Sequence, residues 1–185
     1  MNTQVFGSFV SSAPQSKQLP EGTWAVYVYM VEQTNSFLNG DGSVKIEERP
    51  WSNPARQVIV KFFCPERKEW HTHRLSLDAF RKSDTLTKAE LKAGKLEAAG
   101  RYVVDAKTKE RIIDEAGVEK CNSIINEFFH ALKMEEGSTD ISAAIAEKRL
   151  LNIKIANKPY LDEEQLKVVK FSQYKEPVEK EDFSG

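Results

Sequence analysis

Large residues alternate on both faces first in "GTWAVYVYMVEQ", with Trp24, Val26, Val28 and Met30 on one side and Ala25, Tyr27, Tyr29 and Val31 on the other. This is the period of a strand whose two faces are both at least partly covered. "QVIVKFFC" and "EWHTHRLSL" repeat the period and are joined by the tight turn "PERK", so they predict strands two and three. In the second strand Lys61 and Phe63 share the side opposite Val58, Val60 and Phe62. In the third, Trp70 and Arg74 lie opposite His71, His73, Leu75 and Leu77. Near the end of the chain, "RLLNIKIANKPYLDEEQLKVVKFSQYK" predicts two more strands around a polar, Pro-containing turn. There Leu151, Ile153 and Ile155 alternate with Asn152 and Lys154.

Between strands three and four the period changes to that of a helix. "VEKCNSIINEFFHALKM" places Val118, Cys121, Ile124, Ile125, Phe128 and Leu132 at three- and four-residue intervals, an apolar stripe with Cys121 read as a small buried hydrophobe. "LDAFRKSD" offers one or two helical turns, and "TLTKAELKAGKLEAAG" puts Lys88, Lys92 and Lys95 along one ridge ending at Gly100. "STDISAAIAEKR" reads as a short capped helix, while "RYVVDAKTKERIID" fits either a short hairpin or an irregular excursion. A long loop, "TNSFLNGDGSVKIEERPWSNPAR", displays Phe37, Trp51 and Arg56 and has room for a small hairpin. The first residues, rich in Ser, Gln and Pro, read as an arm. No internal repeat is present.

At 185 residues, 40% hydrophobic and 30% charged, the chain suits one globular domain. It has no run long enough to cross a bilayer as a helix, and its start lacks the basic and apolar regions of a leader, so a cytoplasmic protein is expected. Two distant cysteines, Cys64 and Cys121, agree with a reducing compartment. The net charge is -1, but it is uneven: "EPVEKEDFSG" ends the chain with four acidic residues and one lysine, whereas residues 51–82 hold seven basic residues against three acidic. A mildly basic middle and an acidic end result.

Candidate catalytic chemistry is sparse. No G-x-S-x-G, P-loop or G-x-G-x-x-G occurs, which leads to the expectation of a non-enzymatic protein without a cofactor. Cys64, His71 and His73 point toward one region, but the set lacks a fourth ligand, and Leu75 and Leu77 continue the same face inward. Packed histidines are the better reading. Binding single-stranded nucleic acid needs no catalyst, only cations for the backbone and flat rings for the bases. Lys61, Phe63, Trp70 and Arg74 would form such a surface if strands two and three pair. Trp51 and Arg56 would extend it from the loop, Tyr27 or Tyr29 from strand one, and Lys154 and Lys170 would supply a far wall.

Three strands, a helical insertion and two more strands give a mainly β, α+β chain with the element order of an OB fold, a five-stranded barrel with a helical insertion between strands three and four. The phrases "LPEGTWAVYVYMVE", "HRLSL", "NSIINEFFHALKM" and "LLNIKIANKPY...LKVVKFSQY" resemble small phage-encoded proteins of the single-stranded-DNA-binding type. The resemblance spans roughly residues 19–175. It implies an arm (residues 1–19), an OB-type nucleic-acid-binding domain (20–175) and an acidic tail (176–185). It also implies sequence-nonspecific binding of single-stranded DNA in phage replication or recombination, inside a bacterial host cell. Glu181, Asp182 and Phe183 would then recruit replication or recombination proteins. A replication accessory that uses the same barrel to hold a protein partner is the alternative, and a small enzyme with an unrecognised site a third. Oligomeric state is left open.

Overall fold

The computed structural model describes residues 18–35, 49–160 and 162–177. The arm before Gln18, most of the first loop with Phe37, and the tail from Val178 with Glu181, Asp182 and Phe183 lie outside the described residues.

Five strands form one antiparallel sheet: β1 (Gly22–Asn35), β2 (Arg56–Cys64), β3 (Glu69–Ser76), β6 (Leu150–Asn157) and β7 (Leu166–Gln173), in the order β3-β2-β1-β6-β7. The predicted alternation decides the buried side. Val26, Val28, Val60, Phe62, Leu75, Leu151, Ile153 and Ile155 are all buried on one face. Helix α2 (Glu115–Ala131) covers that face with Phe128 and Ala131, and Leu132 at its C-cap joins them. Phe62 meets Phe128 edge-on at 6.0 Å between ring centroids, and Phe171 lies 5.2 Å from Phe128. The short helix α3 (Ser142–Ala146) adds Ala144, and Asp140 accepts the N–H of Ser142 at its start.

The sheet is not closed into a barrel by strand pairing; β3 and β7 are its two edges. Helix α2 packs against both of them. Glu127 accepts the outward N–H of Phe171 at 2.7 Å, and the His73 and Phe171 rings approach to 5.9 Å across the seam. A carboxylate on the helix thus satisfies an edge group that a closing strand would otherwise take.

Several expectations change. A bulge between Val28 and Met30 in β1 inserts one residue against β2, so the alternation reverses after it. Val31, not Met30, then packs on the core beside its partner Val60. Leu19, assigned to the arm, is fully buried, and its N–H donates to Trp70 on the β3 edge. The expected helix ending at Gly100 stops at Gly94: α1 (Lys88–Ala93) has a capping box from Thr87 and Glu90, and Gly94 takes the left-handed conformation at φ 71°. Lys95 therefore leaves the helical ridge. The chain continues as a hairpin of β4 (Leu96–Ala99) and β5 (Tyr102–Asp105), and the excursion at residues 101–114 returns along β5 through a bridge from Arg111 to Val104.

This insertion has its own small core of Trp51, Phe80, Ala99, Tyr102 and Val104. Buried among them is Arg111, its guanidinium 3.8 Å from the centroid of Phe80, 4.9 Å from Trp51 and 5.1 Å from Tyr102. Asn53 accepts from Arg111 through both its side chain and its backbone carbonyl.

The stripe of α2 is also less buried than its spacing predicts. Ile124 is 47% exposed and Cys121 half-buried, because the helix lies over a seam rather than a broad sheet face. Partial burial pushes the Cys121 thiol up from its ordinary pKa. At the start of α2, a Cβ on Gly117 would stand 2.6 Å from the Cβ of Ala79. Gly117→Ala would gain up to about 1 kcal/mol of helix propensity but lose about 1–3 kcal/mol to overpacking. A lower denaturation midpoint is expected, and a raised one would show that the junction yields freely. No helix among the described residues is long and apolar enough to cross a membrane.

Candidate nucleic-acid interface

The face of the sheet opposite the core carries the predicted residues. Register places Phe63 opposite Trp70 on one side and opposite Tyr27 on the other. Their rings form a row, with centroids 4.7 Å apart for Phe63 and Trp70 and 5.4 Å for Tyr27 and Phe63. Tyr29 joins because it is the extra residue of the β1 bulge. It stands 57% exposed with its ring edge-on to Trp70 at 4.7 Å. Lys148 adds a cation 5.6 Å above Tyr27, a contact that the linear sequence gives no means of anticipating.

Lys61 pairs with Thr72 and Met30, and Arg74 with Ile59, so both cations sit on the ring-bearing side in successive registers. Both are exposed, and neither forms an ion pair among the described residues. Glu32, opposite Ile59, is the carboxylate that shares this part of the face. Lys154 and Lys170 are directly opposite each other on β6 and β7, also away from the core. Like charges so placed repel and cost stability unless an anion lies over them. They are set off from the ring row: Lys154 pairs with Thr23, four residues before Tyr27.

Two candidates from the loop do not join. Trp51 is 7% exposed, edge-on to Tyr102 at 4.9 Å and covered by Arg111, so it is a core residue of the insertion. Arg56 has the parity of Val58 and Val60, and its guanidinium forks onto Asp78 at 2.8 and 3.1 Å. Asp78 also accepts the backbone N–H of Arg56, and these bonds hold its carboxyl below the usual carboxylate range. The pair anchors the end of β3 to the start of β2.

The histidines lie on the core side. His71 is 1% exposed with no hydrogen-bond partner for either ring nitrogen among the described residues, and burial lowers its pKa to about 4. His73 is lowered to about 4 as well, chiefly by burial and then by the charges of His71 and Lys167. No group of three or more His, Cys, Asp or Glu side chains placed to hold a metal ion occurs among the described residues.

No protein-family model matches the chain, and no curated protein matches it. What this surface can do follows from its own chemistry: flat rings beside exposed cations that form no ion pair among the described residues.

Proposed function

We propose that this chain is a sequence-nonspecific single-stranded-DNA-binding protein, without catalytic activity, acting in replication or recombination of the phage type. The observation that carries the reading is the row of Tyr27, Phe63, Trp70 and Tyr29 with Lys61 and Arg74 beside it, all on the solvent side of one sheet. Stacked bases need ring faces, and a phosphate chain needs cations that are not already neutralised. The strand order supports an OB-type architecture: a partly open barrel whose seam falls between its third and last strands, with a helix inserted after the third. The acidic end with Phe183 would recruit partner proteins, on its composition alone.

Titration of a fluorescent oligothymidylate at several salt concentrations tests this. Affinity should fall linearly on log–log axes, and Lys61→Ala or Arg74→Ala should each reduce the slope by about 0.7 to 1. Absence of binding at low salt would end the proposal.

A second reading has one observation in its favour. The seam holds a mainly apolar groove of about 390 Å³, lined by Leu75, Cys121, Ile124, Val168 and Val169 with Arg74 and Glu127 also on its wall. Ile124 and Val169 are exposed there, Val169 because a bulge in β7 turns it outward. An accessory that holds a protein partner would use such a groove. Its binding would lack the linear dependence on salt.

A further inference from the structure

We infer that the insertion carries a second contact for the same single strand, a phosphate site made by Lys82 and Arg101 beside Tyr160. This rests on the single-strand reading of the sheet face and extends it to residues that reading does not use.

Three cations converge on one ring. Lys82, bridged across from Tyr102, holds its Nζ 4.8 Å from the ring centroid, and the Arg101 guanidinium lies 5.1 Å from it. Arg111 approaches the same ring to 5.1 Å from the buried side, and burial, with a smaller push from the Arg101 charge, lowers the Arg111 pKa. Arg111 is enclosed by rings and bonded to Asn53, so it is structural. Lys82 and Arg101 are exposed, and neither has a carboxylate within 4.0 Å among the described residues. The neighbours that act on Arg101 are the oxygens of Tyr102 and Tyr160, the Tyr160 hydroxyl accepting from it at 3.5 Å.

A ring can hold cations near it but cannot neutralise them. Two exposed charges held at one ring, with no carboxylate partner among the described residues, form a site for an anion, and the adjacent side chain indicates which kind. Tyr160, in the loop between β6 and β7, is 48% exposed beside Arg101. A stackable ring next to cations aimed at a phosphate is the pattern by which single strands are held. Asp162, Glu163 and Glu164 follow Tyr160 in that loop, but no ion pair joins them to Lys82 or Arg101. The ligand is thus a phosphodiester with an unpaired base, not an isolated anion.

The test compares oligothymidylates of about 6 and about 25 nucleotides, the shorter near the low end of what one OB fold covers. The double variant Lys82→Gln/Arg101→Gln removes both charges and leaves a shorter polar side chain at each position. It should bind the long strand about tenfold or more weakly, with a salt slope reduced by about 1.5 to 2, and bind the short strand as wild type does. Lys88→Gln/Lys92→Gln removes equal charge from α1 and should change neither. The inference is overturned if the long strand is bound unchanged, if both lengths weaken alike, or if the α1 variant has the same effect. Wild-type protein that binds neither length overturns the single-strand reading and this inference together, whereas a short strand bound normally with no effect of Lys82 and Arg101 removes this inference alone.

Discussion

Trp70→Ala is expected to weaken single-strand binding by about ten- to a hundredfold and to leave the protein folded. Stacking a base on an aromatic ring contributes about 1–3 kcal/mol, and each 1.4 kcal/mol is a factor of ten in affinity. Trp70 is half-buried on the solvent side of β3, between Phe63 and Tyr29, so its removal opens no cavity in the core that contains Phe62, Phe128 and Phe171. Its hydrogen bond with Leu19 uses the backbone carbonyl and survives the substitution. Tyr29→Ala should show a smaller loss in the same direction, since the bulge holds that ring outward whatever its neighbours do. Intrinsic fluorescence should be quenched on adding oligonucleotide in wild type and much less in Trp70→Ala. Trp51, enclosed by Tyr102 and Arg111, should contribute little to that quenching. The measurement is an affinity series on variants whose melting curves stay cooperative. If Trp70→Ala unfolds the domain, the ring belongs to the core; if it binds as wild type does, the face lies elsewhere.

Acid should destabilise the protein between about pH 6.5 and pH 4, with His71 and His73 the main causes. Its ring is lowered from 6.5 to about 4 by burial, so the unfolded chain takes up the proton first as pH falls. Stability is then fully present above the unfolded value and lost as pH falls toward the folded one. A depression of this size corresponds to about 3 kcal/mol for His71. His73, lowered to about 4 chiefly by burial and then by the charges of His71 and Lys167, acts in the same direction over the same window. Glu90, lowered to about 2 by Arg81 and Thr87, loses its contribution in a separate, more acidic window. Urea midpoints at pH 7 and pH 4.5 should differ strongly in wild type and far less in His71→Leu/His73→Leu. An equally steep loss in that double variant would place the acid sensitivity in other groups.

The two histidines also show how far a sequence carries. Their parity with Leu75 put them on the buried side of β3, because alternation in a strand is a local property fixed by backbone geometry. Parity likewise put Lys61, Phe63, Trp70 and Arg74 on one face once β2 and β3 paired, and hairpin pairing follows from the short turn between them. The strands, the main helix and a mainly β architecture were therefore legible.

What was not legible depended on partners distant in sequence. The bulge at Tyr29 leaves the composition of β1 unchanged, yet it reverses which residues face inward, and it exists because β2 offers one residue fewer there. Trp51 and Arg56 looked alike as exposed loop residues. One is drawn into a second core by Phe80, Tyr102 and Arg111, the other is tied to Asp78, and both outcomes follow from an insertion whose own strands were too short to read. The helical spacing of residues 85–100 lost to a left-handed Gly94 and to the pairing of Leu96–Ala99 with Tyr102–Asp105. Local patterns set which way a side chain points along its own element. Only the tertiary structure decided what each element meets, because burial and charge pairing are settled by neighbours that the order of residues does not name.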